Sequence, residues 1–591
     1  MNGKDNKALY IFLGAILLFA SAYAAPYLDR GIPGLIKSIG EGNMKFVLCK
    51  NTLKTCLIAL GIYLTAILCL NDKSHDERNA AEFGSAAFGN AYALNKKYEG
   101  GGDGKILTKN VSVSLDGKYH KRNLNVLVCG GSGSGKTRFY AMPNVMNANS
   151  SFVVLDPKGE MVRETGCLLE AAGYDIKVID LINMEKSCCY NPFKYIKDEN
   201  DAQRLCTNLF KNTNSKEAKS SDPFWEKAAM MLLLAIVFYL MYEASEYERN
   251  FPMVLEMIRS LDINEDKVSD KCLLDELFDE LPENHIAKKY YKSFRTGSGK
   301  TLKSIQITLL SHLEKFNLTS LASITRYDEL DLDKVGERKT AIFAVTSEND
   351  TSFNFIVGML YTQLFQRLYY CADVIHGGAN PVHVHFNLDE FANMPLPDDF
   401  DKILSTMRSR NISVSIIIQN MAQLKALYKD EWESIVGNCD EFLYLGGNEL
   451  STHEYVSKLI GKETIKYKTH SKGKGRQSSY TESEYIAARS LMNPDEVRTL
   501  DSSKAILFIR GEKPVIDDKF DILKHKYAPY TASSGGGTYT YGVKDYSAGD
   551  ISFLSHMPER TGIDREEDKK ITVLTDLDYR KIRKGIETNE N

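Results

Sequence analysis

The sequence predicts an α/β protein with a mostly parallel sheet, and three observations support this fold class. A glycine-rich phosphate-binding loop stands between a short apolar strand pattern and a helix-like segment. An acidic pair follows a second strand pattern, and further short apolar runs alternate with helix-like segments along the chain. Such runs are typical of strands that helices cover on both faces, so we expect a central, covered sheet.

Composition narrows the class of protein further. The chain has 591 residues, of which 43% are hydrophobic and 26% charged, and its formal net charge is -4. These values exclude collagen-like, coiled-coil and wholly disordered proteins. They also exclude a uniformly basic coat for nucleic acid, so any contact with nucleic acid must be local. The 11 cysteines include no C-x-x-C pair, and therefore indicate neither a zinc site nor a disulfide framework.

Two apolar segments stand near the start of the chain. Ala8 to Ala25 carries no charge over 18 residues, and Leu57 to Leu70 is a shorter run. We predict that residues 1–75 form a membrane anchor with two transmembrane helices. A cleaved signal peptide is the alternative, because Ala22-Tyr23-Ala24 forms an A-x-A-like site. The basic residues between the two runs oppose cytoplasmic ends, so the cytoplasmic placement depends on the nucleotide chemistry described next.

The phosphate-binding loop is the most informative motif. It fits G-x-x-x-x-G-K-[ST] at every specified position and reads Gly130-Gly131-Ser132-Gly133-Ser134-Gly135-Lys136-Thr137. Its glycines let backbone N–H groups close on phosphate oxygens, and the next helix adds a favourable dipole. We expect Lys136 to neutralise the β- and γ-phosphates and the Thr137 hydroxyl to ligate Mg²⁺. The loop therefore predicts ATP and Mg²⁺ as cofactors, whereas a flexible Gly/Ser turn would need neither flanking element.

An acidic pair provides the metal side of the predicted site. Asp389 and Glu390 follow the strand pattern at 382–388. We expect Asp389 to hold Mg²⁺, directly or through water, and Glu390 to act as the general base on the attacking water. Acidic pairs are common on surfaces, but one that follows a strand in a chain with an intact phosphate loop favours this role.

Polar residues beside the next strand pattern, 412–418, complete the predicted site. Gln419 ends this strand at the carboxyl edge, where open α/β sheets bind ligands, and we predict that it senses the γ-phosphate. Arg408 and Arg410 precede the strand. An arginine offered to a neighbouring subunit's nucleotide stabilises the charge of phosphoryl transfer. The sequence leaves open which arginine acts, and whether the two form a plain surface pair.

The remaining patterns define the domain organisation. We expect further strands at 124–128, 152–155, 176–179, 340–345, 441–445 and 505–509. They predict a nucleotide-binding domain in two parts, 76–197 and 338–525, around an all-α insertion at 198–337. Residues 466–483 are polar and basic, which predicts a loop, and residues 526–591 predict a flexible C-terminal tail.

Two features of the helical insertion have competing interpretations. The apolar run Ala228 to Tyr242 predicts a buried core helix, with a third membrane segment as the alternative. Gly297-Ser298-Gly299-Lys300-Thr301 resembles a second phosphate loop. However, Phe294 stands where the first glycine is required, and no strand pattern precedes it. The core helix and a single nucleotide site are therefore the favoured interpretations.

Several short motifs stand in a fixed order between residues 83 and 226. They are Phe83-Gly84-Ser85-Ala86, Asn123-Leu124-Asn125-Val126, Pro143-Asn144, Asp156-Pro157-Lys158-Gly159-Glu160, Tyr190-Asn191-Pro192-Phe193 and Asp222-Pro223-Phe224-Trp225-Glu226. Together with the phosphate loop they resemble the type IV coupling proteins, the TraG/TraD-like ATPases of conjugative secretion channels. The resemblance runs from the N-terminal apolar pair to about residue 525. One departure is Ala87, where the family often has arginine.

The resemblance implies a fold, an assembly and roles for individual residues. It implies a RecA-like motor that forms a homohexamer, with an all-α domain toward the cytoplasm. Lys136 and Thr137 match the family's nucleotide and metal residues, and Asp389 and Glu390 its metal and water-activating residues. Gln419 matches its sensor, and Arg408 falls where the family presents its trans-acting arginine.

The resemblance also implies a function. We expect a multi-pass protein of the bacterial cell membrane with its ATPase domain in the cytoplasm. It would recruit single-stranded DNA bound to a relaxase and pump it to the proteins of a type IV secretion channel. Two alternatives remain: an FtsK/HerA-like translocase of double-stranded DNA, and a membrane receptor for secretion substrates that does not hydrolyse ATP. The helical insertion disfavours the first, and the intact hydrolytic residues disfavour the second.

Overall fold

The structure is a computed structural model. It describes residues 5–28, 31–40, 42, 45–72, 83–100, 104–213, 223–263, 271–393, 397, 399–429, 431–472 and 480–542. The chain divides into two compact units. One comprises Met1–Ala86 with Gly461–Leu491, and the other comprises Ala87–Ile460 with Met492–Asn591.

Within the described residues, the strands are β1 (Lys105–Ile106), β2 (Ser112–Val113), β3 (Val126–Cys129), β4 (Ser151–Pro157), β5 (Asp175–Asp180), β6 (Thr340–Thr346), β7 (Val384–Leu388), β8 (Ile412–Ile418), β9 (Glu441–Tyr444), β10 (Lys462–Lys472), β11 (Tyr480–Ser490), β12 (Lys504–Ile509) and β13 (Val515–Asp518). The α-helices of the same residues are α1 (Asp5–Leu28), α2 (Gly31–Gly40), α3 (Thr52–Asp72), α4 (Ala91–Tyr98), α5 (Gly117–His120), α6 (Met142–Met146), α7 (Glu160–Ala171), α8 (Glu199–Thr213), α9 (Pro223–Glu243), α10 (Phe251–Arg259), α11 (Leu273–Asp279), α12 (Ile286–Arg295), α13 (Gly299–Leu313), α14 (Thr319–Ile324), α15 (Asn354–Tyr370), α16 (Phe400–Thr406), α17 (Met421–Tyr428), α18 (Trp432–Gly437), α19 (Leu450–Ile460) and α20 (Pro494–Arg498).

A nine-stranded sheet forms the core of the larger unit. Its order is β13-β12-β9-β3-β8-β7-β4-β6-β5. The seven strands from β9 to β5 are parallel, whereas β12 pairs antiparallel with both β9 and β13. Every residue of β3, β6, β7 and β8 is buried, as helices on both faces of a sheet require. The α/β fold with a mostly parallel, covered sheet is confirmed, and β3, which leads into the phosphate loop, lies near its centre.

The described residues between β5 and β6 form helices, turns and loops, and they contain no strand. The α-helices among them are α8 to α14. Among the described helices, α9 alone is long and apolar enough to cross a membrane, and most of its length is buried within the protein. Its buried side chains lie on every face between Ala228 and Leu240, as expected of a helix at the centre of a helical group. This agrees with the core-helix interpretation.

The smaller unit contains the N-terminal helices and a β-hairpin. Helices α1 and α3 contact each other, and they include the apolar stretches Phe12–Leu28 and Thr52–Ile67. The prediction of a loop at 466–483 is wrong at 466–472 and 480–483, because β10 and β11 pair antiparallel over 11 residues each. Residues 473–479 lie outside the described part of the chain. Tyr467 and Tyr485 stack across the pair at 5.7 Å. Such cross-strand aromatic contacts stabilise strands despite a polar composition.

The start of the predicted C-terminal tail is also corrected. Ala528 and Thr531 are buried, and the Tyr541 hydroxyl donates a 2.8 Å hydrogen bond to Asp180 Oδ2 at the end of β5. Residues 526–542 are therefore a packed part of the larger unit. Residues 543–591, the rest of the predicted tail, lie outside the described part of the chain.

Candidate nucleotide-binding site

The phosphate loop joins β3 to a helical turn, as the motif requires. A π-helical turn, Thr137–Ala141, follows the loop and continues into α6. Two loop residues, Gly133 and Gly135, have φ of +75° and +81°, a backbone region that L side chains rarely adopt. A Cβ at Gly135 would also lie 2.3 Å from the ring of Phe139. Glycine is therefore required at this position for both backbone and steric reasons.

The loop is anchored to the ends of both flanking strands. The Gly130 N–H donates to the Ile418 carbonyl at 3.1 Å, and the Gly131 N–H donates to the Gly446 carbonyl at 2.8 Å. The sheet order explains these bonds, because β3 lies between β8 and β9. The loop is thus held at the carboxyl edge of the sheet, where parallel strands present ligand sites.

Two polar groups of the loop are disposed as a phosphate site requires. Lys136 Nζ donates to the Gly131 carbonyl at 3.3 Å, so the ammonium group lies across the loop. The Ser134 hydroxyl is buried and makes no hydrogen bond with the part of the chain that the structure describes. Ser132, in contrast, is exposed. A buried hydroxyl without a partner in the protein is a fit for a ligand oxygen.

Thr137 and Asp389 are in direct contact. The Thr137 hydroxyl donates a 2.6 Å hydrogen bond to Asp389 Oδ2. Asp389 follows β7 and is buried, and burial raises the pKa of its carboxyl. The Thr137 hydrogen bond and the nearby Lys136 charge act in the opposite direction. The structure therefore brings together the two residues that the sequence predicts as metal ligands.

The donor set at this point suits Mg²⁺ when nucleotide is bound. Hydroxyl and carboxylate oxygens are the ligands that Mg²⁺ prefers, and it usually takes one or two carboxylates together with substrate phosphates. Among the described residues, no group of three or more His, Cys, Asp or Glu side chains would hold a metal by itself. Thr137 and Asp389 would therefore share the cation with phosphate oxygens.

Glu390 has an unusual backbone next to Asp389. Its φ is +53°, in a region that costs energy for residues other than glycine. Its N–H donates to Asp389 Oδ1 at 3.1 Å. Burial raises the pKa of the Glu390 carboxyl, and the neighbouring charges of Glu348 and Asp389 raise it further. A raised pKa and a place in the cleft beside Lys136 and Asp389 suit a general base at this edge.

The sequence reasoning missed several residues of the same cleft. The cleft has a volume of about 100 Å³, and beside Lys136, Thr137, Asp389 and Glu390 it is lined by Asp156, Pro157, Lys158, Glu160 and Glu348. Lys158 Nζ forms an ion pair with Glu348 Oε1 at 2.7 Å. Asp156 accepts hydrogen bonds from the N–H groups of Met161 and Val162 at the start of α7, and burial raises its pKa to about 7.

A signal for these residues was present in the sequence. Asp156 and Lys158 lie at the end of β4, and Glu348 follows β6 by two residues. The carboxyl ends of parallel strands meet at one edge of a sheet, so charged residues just after each predicted strand belong to one site.

Gln419 lies at the predicted edge but does not line the cleft. Its backbone N–H donates to Gln423 Oε1 at 3.0 Å. It follows Ile418, whose carbonyl accepts a hydrogen bond from the loop residue Gly130. The structure therefore places Gln419 beside the loop, and its role as a sensor of the γ-phosphate stays a prediction.

Arg408 and Arg410 lie at the opposite edge of the sheet, before β8. The length of this strand puts them about 20 Å from the carboxyl edge. Arg410 forms an ion pair with Asp373 at 2.8 Å, and its guanidinium lies 4.4 Å from the centre of the Tyr369 ring. Arg408 is exposed and donates to the Gly117 carbonyl at 3.2 Å. Neither arginine reaches its own chain's loop, and which of the two acts in trans stays a prediction.

The second loop-like sequence has a different context. Gly299-Lys300-Thr301 forms the first residues of α13, and α12 precedes it. A phosphate loop requires a strand before it and a helix after it. The structure therefore gives this segment no phosphate-binding context.

Three comparisons relate the chain to known proteins. Protein VirD4 of Rhizobium radiobacter is 23% identical over 403 residues, which cover 66% of this chain and 55% of the relative. The conjugal transfer protein TraG of Escherichia coli is 23% identical over 415 residues, which cover 64% of this chain and 63% of the relative. The chain thus spans little more than half the length of the VirD4 relative that it matches.

Solved structures show the same fold at low sequence identity. The plasmid coupling protein TrwB in complex with the ATP analogue ADPNP has a TM-score of 0.52 and 16% identity, and the match covers 74% of this chain and 96% of TrwB. TrwB in complex with ADP and Mg²⁺ gives the same TM-score and coverage at 15% identity. The model of the family described as "Type IV secretory system Conjugative DNA transfer" matches residues 79–528. Since this match covers more than half of the chain, the protein belongs to the family of type IV secretory system conjugative DNA transfer proteins.

Proposed function

We propose that this protein is a membrane-anchored coupling ATPase that uses ATP to move DNA toward a type IV secretion channel. The observation that carries the proposal is the hydrogen bond between Thr137 and Asp389, with Glu390 beside it. It joins the phosphate loop to the strand that supplies the predicted base. A protein that bound nucleotide only as a structural ligand would not need this hydrolytic arrangement.

Each residue of the cleft has a distinct part in the proposed hydrolysis. The loop N–H groups and Lys136 would bind the β- and γ-phosphates, and Thr137 and Asp389 would hold Mg²⁺. When bound, the cation neutralises the charge that develops on the phosphate oxygens. The Glu390 carboxylate takes a proton from the attacking water. A bond forms from the water oxygen to the γ-phosphorus, the bond from that phosphorus to the β–γ bridging oxygen breaks, and ADP and phosphate leave.

The proposed assembly is a homohexamer in which Arg408 completes the neighbouring subunit's site. Support comes from the exposed position of Arg408 at the edge opposite the loop of its own chain. In a ring, this edge of one subunit would face the nucleotide of the next. Gln419, beside the loop, would report the presence of the γ-phosphate to the sheet.

The proposed organisation follows the family. Residues 1–75 would anchor the protein in the bacterial cell membrane as a multi-pass segment, with the ATPase domain in the cytoplasm. The two parts 76–197 and 338–525 would form the motor, and 198–337 would form the all-α domain. The family described as "Type IV secretory system Conjugative DNA transfer" supports DNA as cargo and the proteins of a secretion channel as partners, and we propose that the DNA is single-stranded and carries its relaxase.

ATPase measurements on the full chain in detergent test this proposal. Hydrolysis should rise with single-stranded DNA and vanish in Lys136→Ala, since the variant lacks the phosphate-binding ammonium group. Stronger stimulation by double-stranded DNA would favour an FtsK/HerA-like translocase. Binding of ATP with no hydrolysis under any DNA condition would contradict the motor and favour a membrane receptor.

A further inference from the structure

Strand β7 carries polar side chains where a covered parallel strand is usually apolar. His383 precedes the strand, His385 and Asn387 lie within it, and Asp389 follows it. Alternate residues of a strand point to one face, so these four residues share the face on which Asp389 meets Thr137. Buried polar groups cost free energy unless each one is hydrogen-bonded. Their partners are therefore informative.

The first hydrogen bonds of this set start at the helical turn that follows the phosphate loop. The Tyr140 hydroxyl lies 2.6 Å from Ser415 Oγ on β8, and Ser415 Oγ lies 3.0 Å from His385 Nε2. The other ring nitrogen, His385 Nδ1, lies 2.8 Å from Ser413 Oγ. All four residues are buried.

The second part of the contacts reaches the amino edge of the sheet. Ser413 Oγ lies 2.8 Å from His383 Nε2, and His383 Nδ1 lies 2.9 Å from Asn411 Oδ1. The contacts are thus continuous from the helical turn after the phosphate loop, through the middle of β8, to the amino edge of the sheet. We call this set the polar row, and its members are Tyr140, Ser415, His385, Ser413, His383 and Asn411.

With both histidines neutral, the partners of Asn411 give the hydrogen bonds of the polar row a single direction. Asn411 Nδ2 donates to the Asn380 carbonyl at 3.0 Å, so its Oδ1 faces His383 and accepts from the Nδ1–H. His383 Nε2 then accepts from Ser413, which in turn accepts from the His385 Nδ1–H. His385 Nε2 accepts from Ser415, and Ser415 accepts from Tyr140.

This single direction requires both histidines to be neutral. Burial agrees, because it lowers the pKa of His383 to about 4 and that of His385 well below its usual value. Hydrogen bonds aligned in one direction polarise and strengthen one another. The polar row is thus a fully satisfied network rather than a set of separate contacts.

Asn411, at the end of the polar row, contacts the turn Met407–Arg410, which contains the two arginines. Asn411 has φ of +59° and its N–H donates to the Arg408 carbonyl at 3.3 Å. Asn380 donates to the Arg410 carbonyl through its N–H at 3.2 Å and through its Nδ2 at 2.9 Å. The backbone of Met407–Arg410 is therefore oriented by the residue that ends the row and by that residue's own partner.

We propose that the polar row couples the phosphate loop to the arginine turn, so that its members are positioning residues for Arg408. This inference rests on the proposed function. Tyr140 follows Thr137 by three residues in the same helical turn, so a movement of that turn on nucleotide binding changes the first hydrogen bond of the row. The row passes the change to Asn411, and nucleotide in one subunit thereby sets the position of the Arg408 that the next subunit receives.

Hydrogen exchange of the backbone amides tests this coupling without requiring hydrolysis. The full chain in detergent is compared with and without Mg²⁺ and a non-hydrolysable ATP analogue. We expect protection of the phosphate loop, and a several-fold change in the exchange rate of peptides that cover 407–411. In Tyr140→Phe, which lacks the first hydroxyl of the row, the loop protection should stay and the change at 407–411 should disappear. Ser413→Ala, which interrupts the row at its centre, should give the same result.

Tyr361→Phe provides a matched control. Tyr361 is as buried as Tyr140, and its hydroxyl makes no hydrogen bond with the described residues. This variant should behave as the parent chain does. A parent chain whose peptides at 407–411 do not respond to the analogue overturns the coupling, and so does a full response in both Tyr140→Phe and Ser413→Ala. If the phosphate loop itself gains no protection, nucleotide binding and hence the proposed function fail together with the inference.

Discussion

The Thr137 hydroxyl and Asp389 Oδ2 lie 2.6 Å apart, although 252 residues separate them in the chain. Their contact joins the loop after β3 to the end of β7, which is not a neighbour of β3 in the sheet. Strand β8 lies between the two. The loop reaches over the end of β8, and the proposed metal site depends on this contact between the loop and β7.

Asp389→Asn should abolish most of the hydrolysis without unfolding the protein. The amide keeps the size of the side chain and still accepts a hydrogen bond from Thr137, but it loses the one from the Glu390 N–H and removes the negative charge that would hold Mg²⁺. We expect the rate to fall by about two orders of magnitude or more. Steady-state ATPase assays over a Mg²⁺ series measure the effect, and exposed Glu185→Gln is the control. A normal rate in Asp389→Asn would remove this residue from the metal site.

The fall of the hydrolysis rate at low pH, the acid limb of the pH–rate profile, should report the protonation of Glu390. The carboxylate form is the active base, so the rate should fall as pH falls through its pKa. Burial and the charges of Glu348 and Asp389 raise that pKa, and activity should therefore be lost at a higher pH than an ordinary glutamate would give. Glu348→Gln removes one of these charges and releases Lys158 from its ion pair, so the acid limb should move to lower pH. An unchanged limb in kcat-against-pH measurements would contradict this assignment.

The two arginines of the turn should behave differently. Arg408→Ala should reduce hydrolysis in the assembled protein with little change in thermal stability, because its side chain is exposed. Arg410→Ala should lower the free energy of unfolding by about 1 kcal/mol, since it loses the Asp373 ion pair and the Tyr369 ring contact. Thermal denaturation and ATPase assays separate the two effects.

Mixing variants tests whether Arg408 acts in trans. Arg408→Ala subunits keep an intact loop, and Lys136→Ala subunits keep the arginine. A mixture should regain activity that neither variant has alone, because a mixed ring contains sites with the loop from one kind and the arginine from the other. No recovery in the mixture, with both variants assembled, would contradict the proposed role in trans.

Gly166 should not tolerate alanine, although it lies within helix α7. A Cβ there would lie 2.2 Å from Cγ of Tyr539, which packs on the helix. We expect Gly166→Ala to lower the free energy of unfolding by about 1–3 kcal/mol, against a gain of about 1 kcal/mol from helix propensity. Gly437→Ala is the control, because open space surrounds Gly437 in α18. Equal denaturant midpoints for the two variants would show that the Tyr539 ring moves to accept the added methyl group, which would contradict this prediction.

The sequence predicted most of the sheet because each strand is a local pattern. Strand β8 matches its predicted range, 412–418, at both ends. The hairpin β10–β11 was missed, since its polar residues gain stability from pairing with each other rather than from burial. Residues 526–542 were missed for a related reason. Tyr539 and Tyr541 become partly buried only against α7 and the end of β5, which are distant in the chain.

The sequence by itself determined the chemistry of the site, and the tertiary structure decided which residues share it. A phosphate loop and an acidic pair are short motifs whose residue types follow from phosphate and metal chemistry. They can therefore be recognised in the sequence without knowledge of the fold. The ion pair of Lys158 with Glu348, the different surroundings of Arg408 and Arg410, and the hydrogen bonds from Tyr140 to Asn411 depend on the strand order. That order arises from pairing between distant segments, and no local pattern specifies it.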